Sequence, residues 1–147
     1  MRALLDPEAI LLDTNVFVSA VKDAARQTDT FRLIVFLLER ADIRLVGSEV
    51  LAQEYLRYAA AFPSPTASAL VSAILERMEI VRVEDRFVRA CASHFPPGEV
   101  ADLVHAATCL QTGAVLVTND RHFRGIGRAG VIRLVGTTEA IRRWVRP

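Results

Sequence analysis

Lysine is almost missing from this sequence: Lys22 stands alone, and the other 17 of its 18 basic residues are arginine. A GC-rich genome is the simpler source of that bias, although arginine's planar donor fork also suits phosphate. Cysteine is scarce. Cys91 and Cys109 sit in helix-like apolar contexts without metal-ligand spacing, which excludes a disulfide framework and reads as two buried thiols in a reducing compartment. No apolar run is long enough to cross a bilayer, and Met1 to Glu8 carries charge too early for a signal peptide. A cytoplasmic protein without membrane contact is the expectation. Excess charge of one sign is also lacking: the net charge is +1, so the overall balance does not announce a polyanion partner. Its distribution is less even, with seven arginines against one acid, Glu139, between Arg121 and Pro147.

What is present is a regular alternation. Short apolar runs at Ala9–Leu12, Ile43–Val46, Ile80–Val83, Ala114–Val117 and Val131–Val135 read as five strands. Between them, helical periodicity runs over 30–40, from Ser48 to Pro63, over 66–78, from Asp85 through Cys91, over 99–112 and over 138–145. Thr28 or Asp29, Ser48 and Asp85 are the expected N-terminal caps, and Gly113 the C-terminal stop. In the helix over 99–112, Val100, Leu103, Val104, Ala107 and Leu110 are the expected apolar face. Strands alternating with helices predict an α/β fold with a parallel sheet covered on both faces. A length of 147 residues without linker or repeat fits one domain, residues 1–147.

Four acids are out of place for solvated surface residues. Asp13 directly follows the first strand and Asp120 comes shortly after the fourth, and ligands of parallel α/β sheets bind beyond the carboxyl ends of strands. If those two strands are neighbours, the two acids sit side by side. Glu54 lies one and a half turns into the helix after the second strand, and Asp102 in the first turns of the helix before the fourth, so both project towards the same edge. Acids at the margin of a core are costly unless paired or bound to metal. Four of them together call for a divalent cation, and Mg²⁺ favours such oxygen ligands.

The residues around these acids resemble a known family. Leu11-Leu12-Asp13-Thr14-Asn15-Val16 resembles the opening motif of PIN domains, and Ser48-Glu49-Val50-Leu51-Ala52-Gln53-Glu54 the second. Ala101-Asp102-Leu103-Val104-His105-Ala106-Ala107 is similar to the third, and Val117-Thr118-Asn119-Asp120-Arg121-His122-Phe123 to the fourth. The four occur in the family's order and cover nearly the whole chain. The resemblance implies a three-layer α/β/α fold whose five-stranded parallel sheet has the order 3-2-1-4-5. It further implies Mg²⁺- or Mn²⁺-dependent cleavage of RNA, with Asp13, Glu54, Asp102 and Asp120 as catalytic metal ligands. Thr14, Asn15, Ser48, Thr118 and Asn119 would be supporting polar groups. Small members of this kind are similar to the toxin half of VapBC toxin–antitoxin pairs, which implies a homodimer and a small antitoxin partner. In the third motif Glu99 is the only candidate for a further acid.

Other readings stand beside this one. A PIN-like scaffold acting as a binding module for RNA or protein, without a toxin role, is the alternative. A haloacid-dehalogenase-type phosphatase also opens on a strand-end Asp but needs a second Asp where this chain has Asn15. Arg121, Arg124, Arg128, Arg142 and Arg143 are the candidate RNA-phosphate contacts, against an ordinary solvated basic face. His105 reads first as a half-buried structural histidine, and His122 as either a phosphate contact or a loop residue without a role. Tyr55, Tyr58, Phe31 and Phe36 read as core or dimer surface, and Trp144 as an anchoring core aromatic.

Overall fold

The computed structural model describes residues 8–22 and 28–145. Met1 to Pro7, read above as carrying no leader, and Arg146 of the basic C-terminal stretch lie outside them.

Five short strands form one parallel sheet: β1 (Glu8–Leu12), β2 (Ile43–Gly47), β3 (Met78–Ile80), β4 (Val115–Val117) and β5 (Arg133–Val135). Their order is β3-β2-β1-β4-β5, as the resemblance implied. In the register, Ile10 stands opposite Leu45 on one side, and Ile10 to Leu12 run beside Val115 to Val117 on the other. Successive strand residues face opposite sides of a sheet. Burial of Ile10, Leu11 and Leu12, and of all of β4, therefore requires cover on both faces, which the α/β/α layers supply.

The helices are α1 (Thr14–Val21), α2 (Asp29–Glu39), α3 (Glu49–Ala61), α4 (Pro65–Arg77), α5 (Asp85–Cys91), α6 (Val100–Thr112), α7 (Arg124–Arg128) and α8 (Thr137–Ala140). Short 3-10 turns lie at Ala92–His94 and Arg121–Phe123, and Ile141–Val145 is a π-helical turn. Thr28, Ser48 and Ser64 each cap a helix by accepting a backbone N–H with the side-chain oxygen. Gly113 ends α6 at φ 75°, a left-handed conformation that glycine adopts without strain.

The apolar pattern assigns no helix to residues 14–21, yet α1 is there. Its run of Val16, Phe17, Val18 and Val21 has the β-branched composition of a strand, and burial of Val16, Phe17, Ala20 and Val21 overrides that propensity. β3 begins at Met78 rather than Ile80, because α4 stops at Arg77 and the chain turns directly into the sheet. The helix at 85 is capped by Glu84, without a side-chain bond, and Asp85 falls in its first turn. α6 turns a different face inward from the one its pattern suggests. Val100 is 63% exposed, while His105, Ala106, Thr108 and Cys109 join Ala107 in being buried. Small residues let this helix lie close across β1, β2 and β4, which outweighs burial of its larger side chains.

Because every strand is parallel, the carboxyl ends of β1, β2, β4 and β5 open on one edge. There Asp13 N–H donates to Val117 O at 3.1 Å and Thr118 N–H to Val135 O at 3.0 Å, so the first residues past each strand stay in register.

Candidate metal centre

Asp13 occupies the N-cap position of α1 in extended backbone (φ −66°, ψ 143°), but its side chain makes no capping bond. Its carboxylate Oδ2 instead accepts the Thr118 hydroxyl at 2.6 Å. That hydroxyl also accepts Asp120 N–H at 3.0 Å and Asn15 Nδ2 at 3.4 Å, so one side chain at the end of β4 joins three residues of the edge. Tyr55, fully buried on α3, donates to the Leu12 carbonyl at 2.6 Å and ties the end of β1 to that helix.

Glu54 reaches the same edge from α3. Its Oε1 lies 3.4 Å from Thr14 Oγ1 and 2.9 Å from His105 Nε2. One donor atom from each of Asp13, Glu54 and His105 falls within a span of 4.8 Å. Asp102, in the first turn of α6, belongs to a second group with Glu99 and His122, again within 4.8 Å. His122 Nδ1 is 3.1 Å from Asp102 Oδ2, 3.2 Å from Asp120 Oδ1 and 3.9 Å from Glu99 Oε2. Asp120 also caps the following 3-10 turn through His122 N–H at 2.9 Å.

The electrostatics tie the two groups together. Burial pushes the Asp13 carboxyl up, against the Thr118 hydrogen bond, and nearby Glu54 and Asp120 push it further. Burial likewise raises Asp102, helped by the charges of Asp120 and Asp13, to about 6. Burial would raise Glu54 as well, but the hydrogen bond and charge of His105, with Thr14 and Arg57, outweigh it and hold Glu54 low. His122 is raised by Asp120, by its bond to Asp102 and by Glu99. No arginine or lysine pairs with Asp13, Asp102 or Asp120 among the described residues.

This donor set fits a divalent cation. It offers hard carboxylate oxygens, two of them on groups destabilised as anions, next to a buried Asn15 Oδ1 that has no hydrogen-bond partner among the described residues. Either triad could hold an ion: Asp13, Glu54 and His105, or Glu99, Asp102 and His122. The set can bind a cation, orient water and position a phosphate; it contains no serine or cysteine poised as a nucleophile.

Of the supporting groups expected from sequence, Thr14, Asn15 and Thr118 touch the acids or their partners. Ser48 caps α3 at 3.4 Å from Leu51 N. Asn119 turns to the start of α8, where Thr137 N–H donates to its Oδ1 at 3.0 Å. His105 is fully buried rather than half-buried, and His122 sits among three acids. Sequence reasoning ranked both below the site. The signal for His105 was its place one turn after Asp102, on the same side of α6. Of the basic residues, Arg142 pairs with Glu139 at 2.9 Å, while Arg124, Arg128 and Arg143 line a separate cavity.

A parallel sheet whose carboxyl edge gathers acids from four separate segments defines an α/β protein with an acidic rim. The chain belongs to the PIN-domain family: the model of that domain matches residues 10–129. Among solved structures it is similar to VapBC2 from Rickettsia felis, bound to a DNA fragment from its promoter, with 18% identity and a TM-score of 0.62 over 87% of this chain and 98% of that one. It is also similar to VapBC-1 from nontypeable Haemophilus influenzae, at 20% identity and a TM-score of 0.60, covering 88% and 98%. A third likeness is to FitAB bound to the IR36 DNA fragment, at 19% identity and a TM-score of 0.56, covering 87% and 94%. At these identities the likeness is one of fold. No curated protein matches the chain in sequence.

Proposed function

We propose that this protein is a Mg²⁺- or Mn²⁺-dependent endoribonuclease, with residues 1–147 forming one domain and Asp13, Glu54, Asp102 and Asp120 as the metal ligands. The observation that carries the reading is geometric: Asp13 and Glu54 meet with His105, and Asp102 meets with Glu99 and His122, each set of donor atoms within 4.8 Å on one sheet edge, with no arginine or lysine paired to Asp13 or Asp102 among the described residues. When bound, the ion would supply charge neutralisation and activation of a water nucleophile. The chain's own part is to hold and orient. Thr118 and Thr14 orient the Asp13 and Glu54 carboxylates, and His105 turns Glu54.

The toxin half of a toxin–antitoxin pair is the role we propose for it. The similar folds occur in VapBC and FitAB assemblies, which supports a small antitoxin as partner. A homodimer belongs to the same reading, and the exposed Leu56 and Tyr58 of α3 supply apolar surface for it.

The test is cleavage of labelled RNA by the purified protein. Activity should require Mn²⁺ or Mg²⁺, disappear in EDTA, and fall at least about a hundredfold in Asp13→Asn, as loss of a central charge-stabilising group does. Cleavage by Asp13→Asn at the wild-type rate would refute the assignment. For the toxin role, growth arrest on expression should be relieved by a short DNA-binding protein encoded next to this gene.

A further inference from the structure

Four arginines that make no contact with the carboxylate rim come together elsewhere. Arg124 and Arg128 of α7, Arg133 of β5 and Arg143 of the π-helical turn line a cavity of about 620 Å³ along β5. That volume is within the range of small-ligand and segment-binding sites, about 300–1,000 Å³. Two of the four are uncommitted: Arg124 and Arg128 make no ion pair or side-chain hydrogen bond among the described residues. Arg133 donates to the Gly113 carbonyl at 2.8 Å and keeps a loose 3.9 Å approach to Glu8, and Arg143 stands 3.9 Å from Glu139.

The packing brings these groups together for a definite reason. A Cβ at Gly127 would come within 2.6 Å of Leu134 Cδ1, so a side chain there would have to displace Leu134 for α7 to lie this close to β5. Arg124 and Arg128, four residues apart on one side of α7, are then carried to the cavity rim. β5 is an edge strand, bonded only to β4, so the cavity opens where the sheet ends.

We propose that this cavity is a second anion site, which holds backbone phosphates of an RNA strand away from the metal centre. The inference rests on the nuclease reading for its substrate class and extends it with a separate holding site. The guanidinium forks match phosphate oxygens two at a time. Their place favours nucleic acid over an acidic protein segment: α7 follows directly on the Asp120 turn and β5 leads into Thr137, the partner of Asn119, so the elements that line the cavity run on from the rim. No aromatic residue lines the cavity among the described residues, so it would grip phosphates and read no base.

The experiment measures binding rather than cleavage. A short fluorescein-labelled single-stranded RNA is titrated, in EDTA and on the Asp13→Asn background, by fluorescence anisotropy across a salt series. Arg124→Ala/Arg128→Ala should weaken binding roughly tenfold at low salt and reduce the log–log salt slope by about 1.4, since each phosphate contact on a single strand contributes about 0.7. Arg124→Lys/Arg128→Lys should keep the slope, because the charge remains. Arg44→Ala, an exposed arginine paired with Glu79, is the control and should change neither. Circular dichroism checks that the variants fold. An unchanged slope in the double alanine variant, an equal loss in the Arg44 control, or a polyglutamate peptide binding in place of RNA would overturn the proposal. Absence of RNA cleavage by the wild type with the slope change intact would instead defeat the nuclease reading and leave this site standing.

Discussion

His105 Nε2 lies 2.9 Å from Glu54 Oε1, in a position with no solvent exposure for the histidine. A carboxylate can only accept there, so Nε2 carries the proton and donates. The ring nitrogen Nδ1, also buried, then has no hydrogen-bond partner among the described residues. A buried polar atom without a partner is destabilising. The arrangement therefore favours orientation of Glu54 over stability of the helix that carries His105.

Substitution of His105 separates those two contributions. His105→Leu fills the space without a donor and should weaken Mn²⁺ binding about 10–100-fold, the usual effect of losing a hydrogen bond to a ligand. His105→Gln keeps an N–H donor near the same point and should recover most of that loss. Isothermal titration with Mn²⁺ reads both, and equal affinities for the Leu and Gln variants would remove His105 as a positioning residue.

Thr118 invites a similar comparison. Its hydroxyl lowers the Asp13 carboxyl against burial. Thr118→Val removes it with little change of shape, so Asp13 should hold its proton to higher pH. The pH at which Mn²⁺ binding is half complete should move upward, and Thr118→Ser should bring it back. A binding profile that does not move in the Val variant would contradict this linkage.

The metal-free protein should be more stable at pH 5 than at pH 7. Asp102 is raised from 3.8 to about 6, so between those values the folded chain binds a proton that the unfolded chain has released. Stability from this group therefore falls as pH rises through that window. The raised Asp13 and His122 act in the same sense, while the lowered Glu54 opposes them only near and below its ordinary range. Asp102→Asn should flatten the profile and raise stability at pH 7 by on the order of 1–3 kcal/mol. Thermal melts in EDTA across this range provide the check.

Arg77 supports the fold far from these acids. Its guanidinium donates to the carbonyls of Leu38, Arg40 and Ile43, the last two at 2.9 and 3.0 Å, and so closes the end of α2 and the start of β2 in one clasp. Arg77→Met keeps the stem and leaves three carbonyls without that donor. The expected loss is about 2–4 kcal/mol, read from urea denaturation, since hydrogen bonds to charged groups contribute about 1.5–3 kcal/mol each before water substitutes. Mn²⁺ affinity per folded molecule, read by the same titration as for His105, should not change.

The layout of strands and acids was legible because both are written in short-range signals. Short, mainly apolar runs of four residues, closed by Asp13, Gly47 and Thr118, mark the carboxyl ends of β1, β2 and β4 directly. Glu54 and Asp102 could be aimed at the same edge from helix direction alone. α1 was not legible, because its valines are indistinguishable from a strand until burial is known. The inward face of α6 was hidden for a different reason: small residues gain by close approach, which hydrophobic periodicity does not weigh. His105 and His122 escaped because a histidine's role depends on what stands opposite it. Their partners, Glu54 and Asp120 among them, come from other elements.

The rim joins Asp13, near the start of the described chain, to Asp120, whose neighbours are held in register by β5 through the bond from Thr118 to Val135. The acids can therefore take up their places together only after β5 has been synthesised and has docked beside β4, so the rim is completed by a strand that contributes none of its carboxylates.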